Sequence, residues 1–233
     1  MQFISYLDMV DEKSIKPATV IITSTLLVVL HRYFGSLDFA QQLFGSGKTF
    51  LPPSYMFASA FLLLGLIPTL IITFGFNERL KDYGLTLGDK KAGMLSLVVL
   101  SPLIVLALIY PASQTAEMKN FYPFDSSAHL SIENFIQLEF WRVILFYTSW
   151  EFMFRGFMLF GLRKYVGDSM ALCIQVIPSC LWHIGMPTGE IISSIPGGLL
   201  FGILALRTGS IIYPFILHCI IGISLDLLII ISY

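Results

Sequence analysis

Four polar side chains stand in the most apolar part of this chain, and their types can do chemistry together. Glu151 and Arg155 lie four residues apart, so a helix places them on one face, where they can pair. His183 and His218 lie in two later apolar segments. A carboxylate beside a histidine can activate water as a general base, and a second imidazole can donate to a developing oxyanion. The set therefore indicates hydrolysis without a serine or cysteine nucleophile.

The same residues leave alternatives open. Glu151, His183 and His218 can also bind zinc with one open coordination position. Two further carboxylates are candidates for a supporting role. Asp226 lies about 80° around a helix from His218, so it can face the same cavity or the outer surface. Glu190 begins an apolar segment, where a carboxylate also suits a helix N-terminus. Each residue alone fits a structural role, so the site is predicted from the set.

The composition indicates that these residues lie in a membrane protein. Of the 233 residues, 56% are hydrophobic and 12% are charged, whereas soluble domains carry about 25% charged residues. The net charge of −1 gives no electrostatic reason to expect nucleic acid as a partner. The apolar runs are long and unbroken, unlike the alternating strands of a membrane barrel. We therefore expect an all-α polytopic transmembrane helix bundle forming a single membrane domain, residues 1–233.

The apolar segments predict about seven spans, with six to eight as the range, since a span takes about 20 residues. The fourth segment contains several charged residues and can form one long helix or two shorter ones. The predicted segments are 18–34, 55–76, 93–112, 133–163, 169–185, 190–206 and 209–231.

Lysine and arginine in the connecting loops predict the orientation. The loop at 77–92 holds four of them and is expected on the cytoplasmic side. With seven spans, the N-terminus is then cytoplasmic and the C-terminus outside. Residues 1–17 are polar and contain no pattern of a signal peptide. We expect an integral protein of the lipid bilayer, in the plasma membrane of a prokaryote.

Three motifs in chain order resemble one family of proteins. They are Trp150-Glu-Phe-Met-Phe-Arg-Gly156, Ser179-Cys-Leu-Trp-His183 and His218-Cys-Ile-Ile-Gly222. Their order is similar to that of the CAAX prenyl protease and bacteriocin-processing (CPBP, or Abi) family of intramembrane proteases. That family shows Glu-Glu-x-x-x-Arg, then Phe-x-x-x-His, then His-x-x-x-Asn or Asp. The resemblance covers residues 133–231, a CAAX-protease-like core.

The chain departs from the family pattern at three positions. Trp150 replaces the first glutamate, Ser179 replaces the phenylalanine, and Gly222 replaces the Asn or Asp expected to help stabilise the oxyanion. The first glutamate is the one usually given the water-activating role. Glu151 is therefore either the base itself or only a structural partner of Arg155.

The resemblance implies an intramembrane endopeptidase that cleaves a membrane-associated or prenylated peptide. In this interpretation Glu151 and His183 activate water, His218 stabilises the oxyanion, and Asp226 partly replaces the missing Asn. The mechanism is metal-free or uses zinc. The main alternative is a proteolytically inactive relative that acts as a bacteriocin-immunity or membrane-assembly factor. A transporter with the same charges on a proton path is a third hypothesis, although no internal repeat supports it.

Overall fold

A computed structural model describes residues 12–45 and 49–232 of the chain. Most of the predicted polar segment at 1–17 lies outside these residues. The described part is helical and contains no strand, which confirms the all-α prediction. The helices are α1 Glu12–Phe34, α2 Leu37–Phe44, α3 Leu51–Gly75, α4 Lys90–Ser113, α5 Ala116–Phe121, α6 Ile132–Val166, α7 Asp168–Trp182, α8 Thr188–Thr208 and α9 Ile212–Ile231.

Six helical segments of the described chain are long and apolar enough to cross a membrane. They are α1 together with α2, then α3, α4, α6, α8 and α9. The chain is thus an integral membrane protein with a polytopic helix bundle. The first crossing segment starts earlier than predicted and continues beyond Phe34. A bend at Gly35 and Ser36 separates its two helices, and the Ser36 side chain accepts a hydrogen bond from the Phe39 backbone amide, as an N-cap does.

Helix α7 is shorter than a usual span, yet it runs from one end of the bundle to the other. At its start, Asp168 pairs with Arg163 at 2.8 Å, beside Lys81 and Gly209. Just beyond its end, the Ile184 carbonyl accepts a hydrogen bond of 2.7 Å from Arg32. Its 15 residues extend over about 22 Å, so α7 adds a seventh element to the six longer ones.

The connections between helices form two groups at opposite ends of the bundle. At one end, the Asp89 backbone amide donates to the Thr208 carbonyl at 2.8 Å. At the other end, the Thr188 backbone amide donates to the Glu117 side chain at 2.8 Å. Loops that were predicted on the same side of the membrane therefore lie at the same end of the structure. Which end faces the cytoplasm stays a prediction.

Helix α6 is the central element of the bundle. In its most apolar 18-residue window 78% of the residues are buried, against 11% in the corresponding window of α4. Residues 132–166 form one continuous helix, which decides between the two alternatives left open by the sequence. Its backbone hydrogen bonds widen to π-type turns over Phe152–Phe160, as they also do in parts of α3 and α4. Glu151 immediately precedes this widened stretch, in the middle of α6.

Candidate active site

Glu151 is the centre of a buried polar cluster between α6 and α9. Its Oε1 atom accepts a hydrogen bond of 2.7 Å from Nδ1 of His218. The same oxygen accepts a longer contact of 3.3 Å from Nη1 of Arg155. The carboxylate is fully buried, and its Oε2 atom has no partner in the described residues. The predicted Glu151–Arg155 pair is thus present, and it includes one of the two predicted histidines.

Hydrogen-bond partners indicate which ring nitrogen of each histidine carries the proton. Nδ1 of His218 faces a carboxylate, and Nδ1 of His183 lies 2.7 Å from the Ser179 carbonyl. These oxygens accept hydrogen bonds, so in neutral rings the proton is on Nδ1. The Nε2 atom of each imidazole is then left as an acceptor. Both histidines can therefore take a proton from water.

His183 lies at the end of α7, close to the Glu151 cluster. Its ring makes edge contacts with Trp150 and Trp182, with ring centres 5.4 and 5.5 Å apart. The structure therefore brings the three predicted catalytic residues into one region of the bundle.

Trp150, at the position of the expected first glutamate, belongs to an aromatic cluster beside His183. Its ring contacts Phe154 and Trp182, with ring centres 4.6 and 4.8 Å apart. The Trp182 indole nitrogen donates a 3.0 Å hydrogen bond to Nδ1 of His31, which fixes Trp182 in place. The aromatic cluster thus packs against one side of His183 and leaves Glu151 as the only carboxylate of the first motif.

Exposure within the site increases from the carboxylate toward the imidazoles. The side chain of Glu151 has no exposed surface, whereas that of His218 is 23% exposed. His183 is half-buried. The two imidazoles are therefore more accessible in the structure than the carboxylate.

Asp226 and Glu190, the two predicted supporting carboxylates, contact side chains other than Glu151 and the two histidines. Asp226 is fully buried and lies 3.0 Å from Nη1 of Arg142. Arg142 also contacts both oxygens of Glu139, at 2.7 and 2.8 Å. Glu190 accepts a hydrogen bond from the Tyr122 hydroxyl, whose oxygen lies 2.8 Å from each carboxylate oxygen. The structure thus places the two supporting carboxylates away from Glu151, in a second polar cluster around Arg142.

The donor set does not fit the zinc site that the sequence left open. In residues 12–45 and 49–232, no three His, Cys, Asp or Glu side chains converge closely enough to hold a metal ion. The Nδ1 of His218 and Oε1 of Glu151 bond to each other instead of pointing at a shared ligand position.

Gly222, where the family pattern has Asn or Asp, lies against a tyrosine. A Cβ atom at this position would come within 1.8 Å of the Tyr147 hydroxyl oxygen. The ring of Tyr147 also packs on His218, with ring centres 4.4 Å apart. The space next to His218 is thus filled by a side chain from α6 instead of one from α9.

A comparison with protein families gives a match over the part of the chain that contains the three motifs. Residues 134–224 match the family described as Type II CAAX prenyl endopeptidase Rce1-like. This part of the chain is similar to that family, and we call residues 134–224 the Rce1-like segment. The match confirms the resemblance to the CAAX prenyl protease family and lies inside the predicted core at 133–231. No curated protein and no solved structure matches the chain.

The Rce1-like segment also contains functional candidates that sequence reasoning did not select. Tyr147 precedes Glu151 by four residues, a spacing that places it on the same helix face. Glu139 and Arg142 show the related spacing of three within an apolar helix, but the prediction includes them only as part of the fourth apolar segment. The spacing signal was present for all three. What it could not show was that Tyr147 contacts His218, which depends on how α6 packs against α9.

Proposed function

We propose that this protein is an intramembrane endopeptidase that hydrolyses a peptide bond of a membrane-associated substrate. The observation that carries the proposal is the 2.7 Å contact between Glu151 and His218 inside the Rce1-like segment. A buried carboxylate that orients an imidazole is a general-base arrangement. The predicted substrate class is a membrane-bound peptide of the prenylated type. The proposal retains the predicted location in a prokaryotic plasma membrane, with the N-terminus in the cytoplasm.

In the proposed mechanism, His218 transfers a proton from the attacking water to the leaving amine, and Glu151 orients the His218 ring. Glu151 holds the His218 proton on Nδ1, and Nε2 removes a proton from water as the water oxygen attacks the peptide carbonyl. The resulting imidazolium is stabilised by the adjacent carboxylate. It then returns the proton to the leaving amine. His183, with Nε2 also free to accept, positions the same water. This assignment exchanges the roles that the sequence suggested for Glu151 and His218.

Arg155 has a positioning role in this mechanism. Its guanidinium contacts Glu151 and lies 5.2 Å from the centre of the Phe201 ring. A buried carboxylate without a counter-charge is strongly unfavourable, so Arg155 keeps Glu151 in place between the two helices. Phe201 in turn contacts the ring of His218, with centres 5.5 Å apart. The cation and the imidazole are thus held by the same aromatic side chain.

The proposal is tested by peptide cleavage with purified protein in liposomes. The probe is a farnesylated peptide with a fluorophore and quencher on either side of the scissile bond. We expect Glu151→Gln and His218→Ala to lower kcat by about 100-fold or more, the contribution typical of a general base. Glu133→Gln is the matched control, because Glu133 is exposed in the first turn of the same helix and should leave cleavage unchanged.

The same variants separate the enzyme from its main alternative. If Glu151→Gln cleaves the probe as fast as the wild type, the catalytic assignment is wrong. If the wild type does not cleave and a cellular phenotype survives Glu151→Gln, the protein acts as a non-catalytic immunity or assembly factor.

A further inference from the structure

Tyr147 packs against His218, the residue that transfers the proton in the reaction proposed above. It precedes Glu151 by one turn of α6, and its ring contacts His218 with ring centres 4.4 Å apart. The guanidinium of Arg142 lies 5.4 Å from the centre of the Tyr147 ring. Only 6% of Tyr147 is exposed. The side chain is thus held between the Glu151–His218 pair and a buried positive charge.

Gly222 makes room for the hydroxyl of this tyrosine. A Cβ at position 222 would lie 1.8 Å from the hydroxyl oxygen and 2.8 Å from the ring carbon that bears it. Both distances are shorter than any normal contact, and the ring is confined by His218 and Phe146. Position 222 must therefore be glycine for the Tyr147 hydroxyl to occupy its place beside His218.

The hydroxyl has an unused capacity to donate. Within residues 12–45 and 49–232, the contacts of the Tyr147 side chain are ring contacts and charge interactions. A tyrosine hydroxyl has one proton to donate, and none of these contacts uses it. A substrate oxygen placed beside His218 would supply the missing acceptor.

Neither histidine presents a donor nitrogen to a substrate oxygen when its ring is neutral. Each carries its proton on Nδ1, toward Glu151 or toward the Ser179 carbonyl, and each presents Nε2 as an acceptor. An oxyanion needs donors aimed at the position where charge develops. Beside His218, the Tyr147 hydroxyl is a neutral donor that carries its own proton.

We infer that the Tyr147 hydroxyl is the hydrogen-bond donor that stabilises the oxyanion, an inference that rests on the proposed peptidase function. Water adds to the carbonyl carbon, its proton passes to Nε2 of His218, and the C=O π pair moves onto oxygen. Tyr147 donates a hydrogen bond to that oxygen and keeps its proton. The carbon–nitrogen bond then breaks, and the amine takes the proton from His218. Gly222 is a positioning residue that lets the hydroxyl reach this place.

The test is steady-state cleavage of the farnesylated quenched peptide by Tyr147→Phe. We expect kcat to fall by about 100-fold, as for loss of one oxyanion donor, with KM nearly unchanged because the charge exists only in the transition state. Gly222→Ala should lower kcat similarly, since its methyl group displaces the hydroxyl. Tyr55→Phe is the matched control, because it removes a hydroxyl that donates to the Phe34 carbonyl, away from the site.

A rescue experiment separates a donor from a packing residue. Tyr147→Ala removes the whole side chain, and adding Gly222→Asn places an amide donor from α9 in the vacated space. We expect the double variant to be faster than Tyr147→Ala alone. A Tyr147→Phe enzyme with wild-type kcat overturns the inference, and if Glu151→Gln is still inactive the proposed function stands. A wild-type protein that does not cleave the probe contradicts both.

Discussion

Glu151 and His218 are 67 positions apart in the chain, and a hydrogen bond of 2.7 Å joins them. The carboxylate comes from the middle of α6 and the imidazole from α9. The contact fixes the direction in which the His218 ring faces, because Nδ1 must point toward α6. It thereby leaves Nε2 as the nitrogen that a substrate water meets.

The protonated nitrogen of each histidine can be measured by ¹⁵N NMR of histidine-labelled protein. We expect His218 and His183 to carry the proton on Nδ1 when neutral, because both Nδ1 atoms face oxygen acceptors. His31 is the internal control. Its Nδ1 accepts from the Trp182 indole, so its proton must be on Nε2. A His218 signal with the proton on Nε2 would contradict the assigned mechanism.

Replacing Arg142 should destabilise the fold strongly. Arg142 is 1% exposed and contacts Glu139 and Asp226, which are 8% and 0% exposed as side chains. Arg142→Met leaves two buried carboxylates without a counter-charge, and we expect a loss of about 3–5 kcal/mol in the free energy of unfolding. Denaturant unfolding in detergent micelles measures it.

Arg163→Met is the matched control for Arg142→Met. Arg163 pairs with Asp168 at 2.8 Å, but the two side chains are 33% and 51% exposed. Exposed ion pairs contribute about 0–1 kcal/mol, so this variant should unfold nearly as the wild type does. Equal losses for the two variants would show that burial does not distinguish these pairs.

Restoring the family's first glutamate should harm this protein. Trp150 is buried among Phe154, Trp182 and His183, so Trp150→Glu places a carboxylate among aromatic rings and also leaves a cavity. Removing a large aromatic side chain alone costs about 3–5 kcal/mol. We expect lower thermal stability and no gain in kcat, with Trp150→Phe as the milder control. A Trp150→Glu enzyme that cleaves the quenched peptide faster than wild type would show that the aromatic cluster is not required.

Counting α7 as a crossing together with the six longer segments predicts that the loop between α3 and α4 and Ser232 lie on opposite sides of the membrane. The loop between α3 and α4 should be cytoplasmic because of its lysines and arginines. Alkaline phosphatase is active only outside, so fused after Ser232 it should be active and fused after Asp89 inactive. Activity of both fusions, or of neither, would mean that an even number of elements crosses between them.

The sequence by itself determined the class of fold and singled out Glu151, His183 and His218 as candidates for the site. Long apolar runs without charge require helices in a membrane, because backbone groups in lipid must be paired within the segment. The spacing of Glu151 and Arg155 on one helix fixed their contact, since positions four apart face the same direction. The motifs around His183 and His218 identified the family through local residue order alone.

Only the tertiary structure decided which of these residues act on each other. His218 can face Glu151 or Arg142 depending on the rotation of α9 about its axis, and this rotation is set by packing along the whole helix. The same packing directs Asp226 to Arg142 and aligns Gly222 with Tyr147. Local sequence specifies which face of a helix is polar. It does not specify which neighbouring helix that face meets, because that depends on the combined shape of side chains from several helices.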